Sequence, residues 1–147
     1  MQPHVTQFAQ DAFRRGLEET RRLNHASVRA EHILLGVLQL SAGSASAALD
    51  SAGVDRVVLA RRLEELLPPG ETPRHAGEYP YHPSGAALIR HLFGPPPEGR
   101  PVKVTSGRVL LGLLTLKDSS VVEAMSSTDV NVPALASRLD SDPDGSE

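Results

Sequence analysis

The side chains best suited to chemistry in this 147-residue chain are few and scattered. His25 and His32 lie seven residues apart with Glu31 beside the second, a grouping that raises the question of a metal ion. Helical zinc sites need a His-Glu-x-x-His pattern and a further ligand at suitable spacing, and the chain has neither. The other reading of the pair is structural, with His25 bonding turn backbone and His32 standing at the start of a helix. The serine-rich stretch from Ser41 to Ser51 contains no Gly-x-Ser-x-Gly elbow and no suitably placed base, which argues against a serine nucleophile. No Gly-x-x-x-x-Gly-Lys-Ser/Thr loop is present to cradle a nucleotide. The absence of cysteine removes disulfide scaffolds, thiolate zinc, iron–sulfur clusters and a thiol nucleophile. The expectation is a chain without catalytic residues, cofactor or metal.

Charge narrows the partners. The formal net charge is −3, which disfavours a nucleic-acid footprint. Arg14-Arg15, Arg21-Arg22 and Arg61-Arg62 are basic pairs, but Glu18-Glu19 and Glu64-Glu65 lie on the same segments at pairing distance. That pattern fits solvated, ion-paired helix faces. A helix-turn-helix DNA binder is the remote alternative, resting only on short helices and those arginines. The chain start has no basic segment leading into an apolar run, and the longest apolar stretch, Ile33 to Leu38, is too short to span a membrane. A cytoplasmic protein with no nucleic-acid or membrane partner is expected. The acidic end, residues 140–147, lacks apolar side chains and is expected to be a solvated tail.

The elements that must position these residues are set by periodicity. Aromatics make up 3% of the chain and tryptophan is absent, so the core must be aliphatic. Residues 6–23 set Ala9, Ala12, Phe13, Gly16, Leu17 and Thr20 on one side and Gln10, Arg14, Glu18 and Arg21 on the other, predicting an amphipathic helix. A second helix over 31–40 should bury Ile33, Leu34, Val37 and Leu38, with Glu31 at its positive end. A third spans Ser44 to Ala52 and stops at Gly53, a natural left-handed cap. Asp55 should cap a fourth, whose apolar line is Val58, Leu59, Leu63, Leu66 and Leu67, before Pro68-Pro69-Gly70 ends it. Residues 68–83 then form a linker dense in Pro and Gly.

The segment after the linker repeats the segment before it. A shift of 76 residues lays Glu31-His-Ile-Leu-Leu-Gly-Val-Leu38 on Gly107-Arg-Val-Leu-Leu-Gly-Leu-Leu114. Over positions 6 to 63, 15 of 58 residues are identical to their partners without a gap, mostly at apolar or small positions where a duplicated fold must keep its packing. The copies are unequal. The first helix of the second copy should run from about Ser84 to Phe93 and be cut short by Gly94-Pro95-Pro96-Pro97. Ser106 is expected to cap the next helix, where the first copy has Ala30.

The stretch Leu23-Asn-His-Ala-Ser-Val-Arg-Ala-Glu-His-Ile-Leu-Leu-Gly-Val-Leu38, with Ala48 to Val54 and Tyr79-Pro-Tyr-His-Pro83, resembles the Clp repeat, found at the N-terminus of ClpC- and ClpA-type unfoldases. The resemblance covers about residues 3–140. It implies an all-α fold, two pseudo-symmetric four-helix repeats packed into one compact eight-helix domain. Repeat one would span about 3–67, the linker 68–83, a degenerate repeat two about 84–140 and the acidic tail 141–147. It also implies a non-enzymatic, free-standing binding module without ATPase modules, an adaptor or regulator of Clp-dependent protein degradation. Clp protease components, adaptors or client proteins are the implied partners, and a monomer is expected. The alternative is capture of phosphoarginine-marked proteins or of macrocyclic peptides that target the unfoldase.

In ClpC-type relatives the Glu of a Thr-Glu-His turn takes part in recognising phosphorylated arginine. Glu31 matches that position, while Ala30 and Arg29 stand where the family has Thr and Gly. In the second copy Ser106-Gly107-Arg108 replaces Thr-Glu-His. The candidate binding residues are therefore Glu31, Arg29, His32, Val28, Tyr81 and Arg108. Glu31 has two compatible readings, a helix-end carboxylate and an exposed group available to a guanidinium. Tyr81 is read either as hinge packing or as a ligand contact near the groove between repeats.

Overall fold

Residues 4–70, 79–94, 103–117, 119–142, 144 and 147 are described by a computed structural model. The first copy consists of helices α1 (Gln7–Arg22), α2 (Ala30–Leu38), α3 (Ser44–Ser51) and α4 (Arg56–Leu66). The second consists of α5 (Pro83–Phe93), α6 (Ser106–Leu114), α7 (Val121–Ser127) and α8 (Val132–Ser141). Linker residues 71–78 and the proline run 95–97 lie outside the described residues.

Side chains that accept the unpaired amides of the first turn set several helix starts. Thr6 accepts from Ala9 N at 3.3 Å, Asp55 from Val58 N at 3.1 Å and Asn131 from Ala134 N at 3.1 Å. The cap of α6 is Thr105, accepting from Arg108 N at 3.1 Å, and not Ser106. Ser106 is the first helical residue, which frees its hydroxyl for another partner. The chain leaves α3 through Gly53, whose φ of +68° is the left-handed geometry expected of it, and Asp129 takes φ +64° at the matching place after α7.

The two copies are sewn together by short extended pieces. β1 (His4–Val5) pairs in parallel with β2 (Lys103–Val104), Val5 opposite Val104. The equivalent bridge joins Tyr81 to Val28. The hydrogen bonds match as well, with Thr6 N donating to Val104 O at 3.0 Å and His82 N donating to Val28 O at 2.9 Å. Each copy thus supplies the strand that precedes its first helix to the strand that precedes the other copy's second helix.

All nine residues of α2 are buried, so it is a central helix wrapped on every side, as its nearly unbroken apolar sequence requires. α6 is its counterpart. Ile33, Leu34, Leu49, Leu59, Leu63, Leu88, Leu110, Leu113, Met125, Leu135 and Leu139 fill the space between, an aliphatic core as the composition demands. Val58 departs from the expected apolar line of α4, being 44% exposed, while Leu59 and Leu63 carry the packing. The closest helix approach is α1 on α2. A Cβ placed on Gly36 would lie 2.2 Å from the Ala12 carbonyl oxygen and 2.7 Å from Gly16 N. Only a glycine allows the two backbones to touch there.

Candidate functional site

The start of α2 gathers most of the candidate residues. Arg29 N donates to His32 Nδ1 at 2.9 Å, so a neutral His32 must carry its proton on Nε2. That nitrogen lies 2.7 Å from His25 Nδ1, and His25 Nε2 lies 2.7 Å from the Pro68 carbonyl oxygen. The only tautomer set that satisfies all three contacts is a directed relay from Arg29 through both rings to Pro68. Burial, reinforced by the neighbouring His25, Arg29 and His82, lowers His32 from 6.5 to about 3, keeping it neutral. His25 therefore bonds turn backbone at the end of α4, and the pair is a structural bolt. His32 is fully buried beneath the start of α2. Among the described residues no cluster of three or more metal-ligating side chains occurs.

Glu31 is not the exposed carboxylate expected of a first-turn residue. It is 4% exposed, because α2 is central and its first turn points at the second repeat. One oxygen, Oε2, accepts from Ser120 N at 2.6 Å at the start of α7, while Oε1 is buried without a hydrogen-bond partner among the described residues. The Val28–Tyr81 bridge lies nearby, and Arg29 is half-buried. Tyr81 remains 47% exposed and, with Phe13, Arg14, Leu17, Val28 and Tyr79, lines a groove of about 400 Å³. Arg21 stands over the Tyr79 ring at 5.5 Å, closing one side of that aromatic pair.

Arg108, the remaining candidate, lies apart at the start of α6. Its Nε donates to Asp144 Oδ1 at 2.7 Å. This corrects the expectation of a wholly solvated acidic tail, since Asp144 docks on the second repeat and Glu147 between the two repeats. The Glu147 side chain enters a cradle made by the starts of α3 and α6. Ser44 N donates to Oε2 at 2.7 Å and Ser106 N to Oε1 at 2.9 Å. The hydroxyls of Thr6 and Ser44 each donate at 2.6 Å, and Ser106 Oγ donates to Oε2. Burial acts to raise the Glu147 carboxyl, but the donors from Ser106, Ser44 and Thr6 outweigh it and hold it below the usual carboxylate range.

One arginine of each basic pair, Arg14, Arg22 and Arg62, is ion-paired as its sequence neighbours suggest. Arg14 reaches Glu18 at 3.0 Å, and Arg22 bridges Glu19 at 2.5 Å and Glu64 at 2.7 Å. No described helix is long and apolar enough to cross a membrane.

With this architecture in view, residues 4–91 match the family model described as the Clp repeat (R) N-terminal domain. The chain belongs to that family. The match ends inside α5, so the second repeat, where Gly107 and Arg108 break the motif, lies almost wholly beyond it. This Clp N-domain is 26% identical over 128 residues to the ATP-dependent Clp protease ATP-binding subunit ClpC of Staphylococcus aureus. That alignment covers 87% of this chain and 15% of the relative, so the Clp N-domain spans a small part of the proteins it matches. Among solved structures, the N-terminal domain of the chaperone ClpD from Arabidopsis thaliana superposes with a TM-score of 0.69 at 15% identity, covering 94% of this chain and 96% of that one. The Hsp104 N-terminal domain from Candida albicans gives 0.66 at 13% identity, covering 92% and 88%. The all-α, eight-helix Clp N-domain fold is thereby established for the described residues.

Five of the six candidate residues come together at the start of α2, and Arg108 does not join them. Sequence reasoning missed Thr6, Ser44, Ser106 and Glu147. A usable signal existed for Ser44: it is identical to Ser120 across the repeat, at the start of the third helix in each copy.

Proposed function

We propose that this Clp N-domain is a non-enzymatic protein-interaction module that acts as an adaptor or regulator of Clp-dependent protein degradation. The observation that supports this best is the aromatic groove beside the Val28–Tyr81 bridge. A half-exposed tyrosine held by backbone pairing, with Phe13, Leu17 and Tyr79 as walls, offers a preorganised apolar contact with a polar tip. Such a surface suits a peptide segment of a client, an adaptor or the unfoldase itself. On this reading the chain works as a monomer in the cytoplasm.

The test is affinity purification on the immobilised domain from its native cytoplasm, run beside a Tyr81→Ala column. Clp subunits, adaptors or Clp clients should be retained by the first and lost from the second. A column that retains none of them sinks the proposal.

A second reading, capture of phosphoarginine-marked proteins, rests on Glu31. Its Oε1 has no donor among the described residues, and a guanidinium is the side chain best shaped to supply one. Burial of Glu31 means that the ligand must part α2 from the start of α7. Calorimetric titration with phosphoarginine discriminates: binding by the wild type that disappears in Glu31→Ala supports the reading, and no heat with the wild type removes it.

A further inference from the structure

The donors of the cradle between α3 and α6 are held by contacts of their own besides those to Glu147. Ser44 Oγ accepts from Gly107 N at 2.8 Å, and Ser106 Oγ accepts from Ala45 N at 3.2 Å. Each serine is therefore held by the other helix, and its one hydroxyl proton is left to point inward. Thr6 Oγ1 is fixed in the same sense by Ala9 N at 3.3 Å. Three hydroxyl protons thus converge with the free amides of Ser44 and Ser106, which have no partner within their own helices. Thr6, Ser44 and Ser106 are all buried, so leaving these donors unmet would be costly. Backbone shape contributes too. Gly43 caps α3 with φ +101°, and a Cβ there would lie 3.1 Å from Glu147 Oε2 and 2.9 Å from Ser106 Oγ. Position 43 puts no side chain into the opening, and the side chain of Glu147, 103 residues beyond Ser44, fills it. Lys103 Nζ donates to its main-chain oxygen.

The repeat supplies an independent reason to read this as a receptor. Ser44 and Ser120 are equivalent, and both amides donate to a carboxylate. In the first case the carboxylate is Glu147; in the second it is Glu31, carried by the facing helix itself. Position 107, which corresponds to 31, is glycine. The second site lacks its own carboxylate and takes one from elsewhere.

We propose that this cradle is an oxyanion receptor which Glu147 fills in cis, so that an external carboxylate or phosphoryl group is admitted only when Glu147 vacates it. The site is distinct from the aromatic groove and does not rest on it.

The test tracks the backbone amide signals of Ser44 and Ser106 by NMR in the full chain. Glu147→Gln, which keeps the shape and removes the charge, and Glu147→Ala should both move these two signals. Asp140→Asn on the same acidic segment should leave them in place. Sodium acetate and inorganic phosphate are then titrated at constant ionic strength into the wild type and into Glu147→Ala. The variant should bind at least about tenfold more tightly, with the shifts centred on the two serines. Tighter acetate identifies carboxylate-bearing segments as the displacing class, and tighter phosphate identifies phosphoryl groups; either supports the receptor. Amide signals unmoved by both Glu147 substitutions overturn the proposal. So does equal anion affinity in wild type and variant, or no anion binding by the variant.

Discussion

The starts of α2 and α6 occupy equivalent places in the two repeats, and they solve the same electrostatic problem differently. At α2 the carboxylate is built in: Glu31 meets the start of α7, and a neutral histidine relay locks the turn behind it. At α6 the helix offers Gly107 and Arg108, the carboxylate is borrowed from Glu147, and Arg108 holds the borrowed segment through Asp144. A helix start that faces another helix start concentrates unpaired amides, and those amides need an anion whichever segment supplies it. The difference teaches that the first repeat carries its own carboxylate at this point, whereas the second takes one from residue 147.

Packing obeys the same division, and the largest expected effect tests it. Gly36→Ala drives a Cβ into the α1 backbone and should destabilise by ~3 kcal/mol or more in urea unfolding. Gly112→Ala, at the equivalent place, meets side-chain atoms of Leu88, His91 and Leu92 and no backbone, and should cost under about 1 kcal/mol. Equal losses would break the claim that α1 and α2 are packed more tightly than α5 and α6.

The histidine relay predicts an acid sensitivity peculiar to the first repeat. The unfolded chain protonates His32 near 6.5 and the folded chain only near 3, so the folded state is favoured above this window. Stability should then fall as pH drops through it, by about 1.4 kcal/mol per pH unit at the steepest. Urea midpoints measured across the window should show this slope in the wild type and lose much of it in His32→Leu.

Glu147 has its folded pKa depressed, so its contribution is present above the ordinary carboxylate range and is lost on acidification below 4.5. At neutral pH, Glu147→Ala should cost about 1 kcal/mol. Gly107→Glu restores the arrangement of the first repeat, and in that background the Glu147 substitution should cost almost nothing. The double-mutant cycle should return a coupling of about 1 kcal/mol, and additive effects would separate the two sites again. The smallest effect is expected at Asp129, whose left-handed backbone matches that of Gly53. Asp129→Gly should change stability by no more than about 1 kcal/mol, in the stabilising direction, by thermal unfolding.

Much of this fold was legible in the chain. The apolar spacing of α1, the offset of 76 and the stop at Gly53 mark elements that local chemistry fixes. The burial of Glu31 was not legible, because it depends on which helix start α2 faces across the duplication. The docking of Glu147 was invisible for a related reason. Residues 140–147 have no apolar pattern, and their anchor is a set of donors gathered from positions 6, 44 and 106. The same distance hid Ser106, whose local environment suggests a cap while its contacts are with α3 and Glu147.

The exchange of extended pieces between copies, Val5 with Val104 and Tyr81 with Val28, makes each copy incomplete without the other. Each copy on its own would present an unpaired strand and would find a mate only in a second molecule. The geometry is that of a symmetric dimer written into one polypeptide. A single chain need not keep both faces identical, and here position 31 carries a carboxylate while position 107 is glycine.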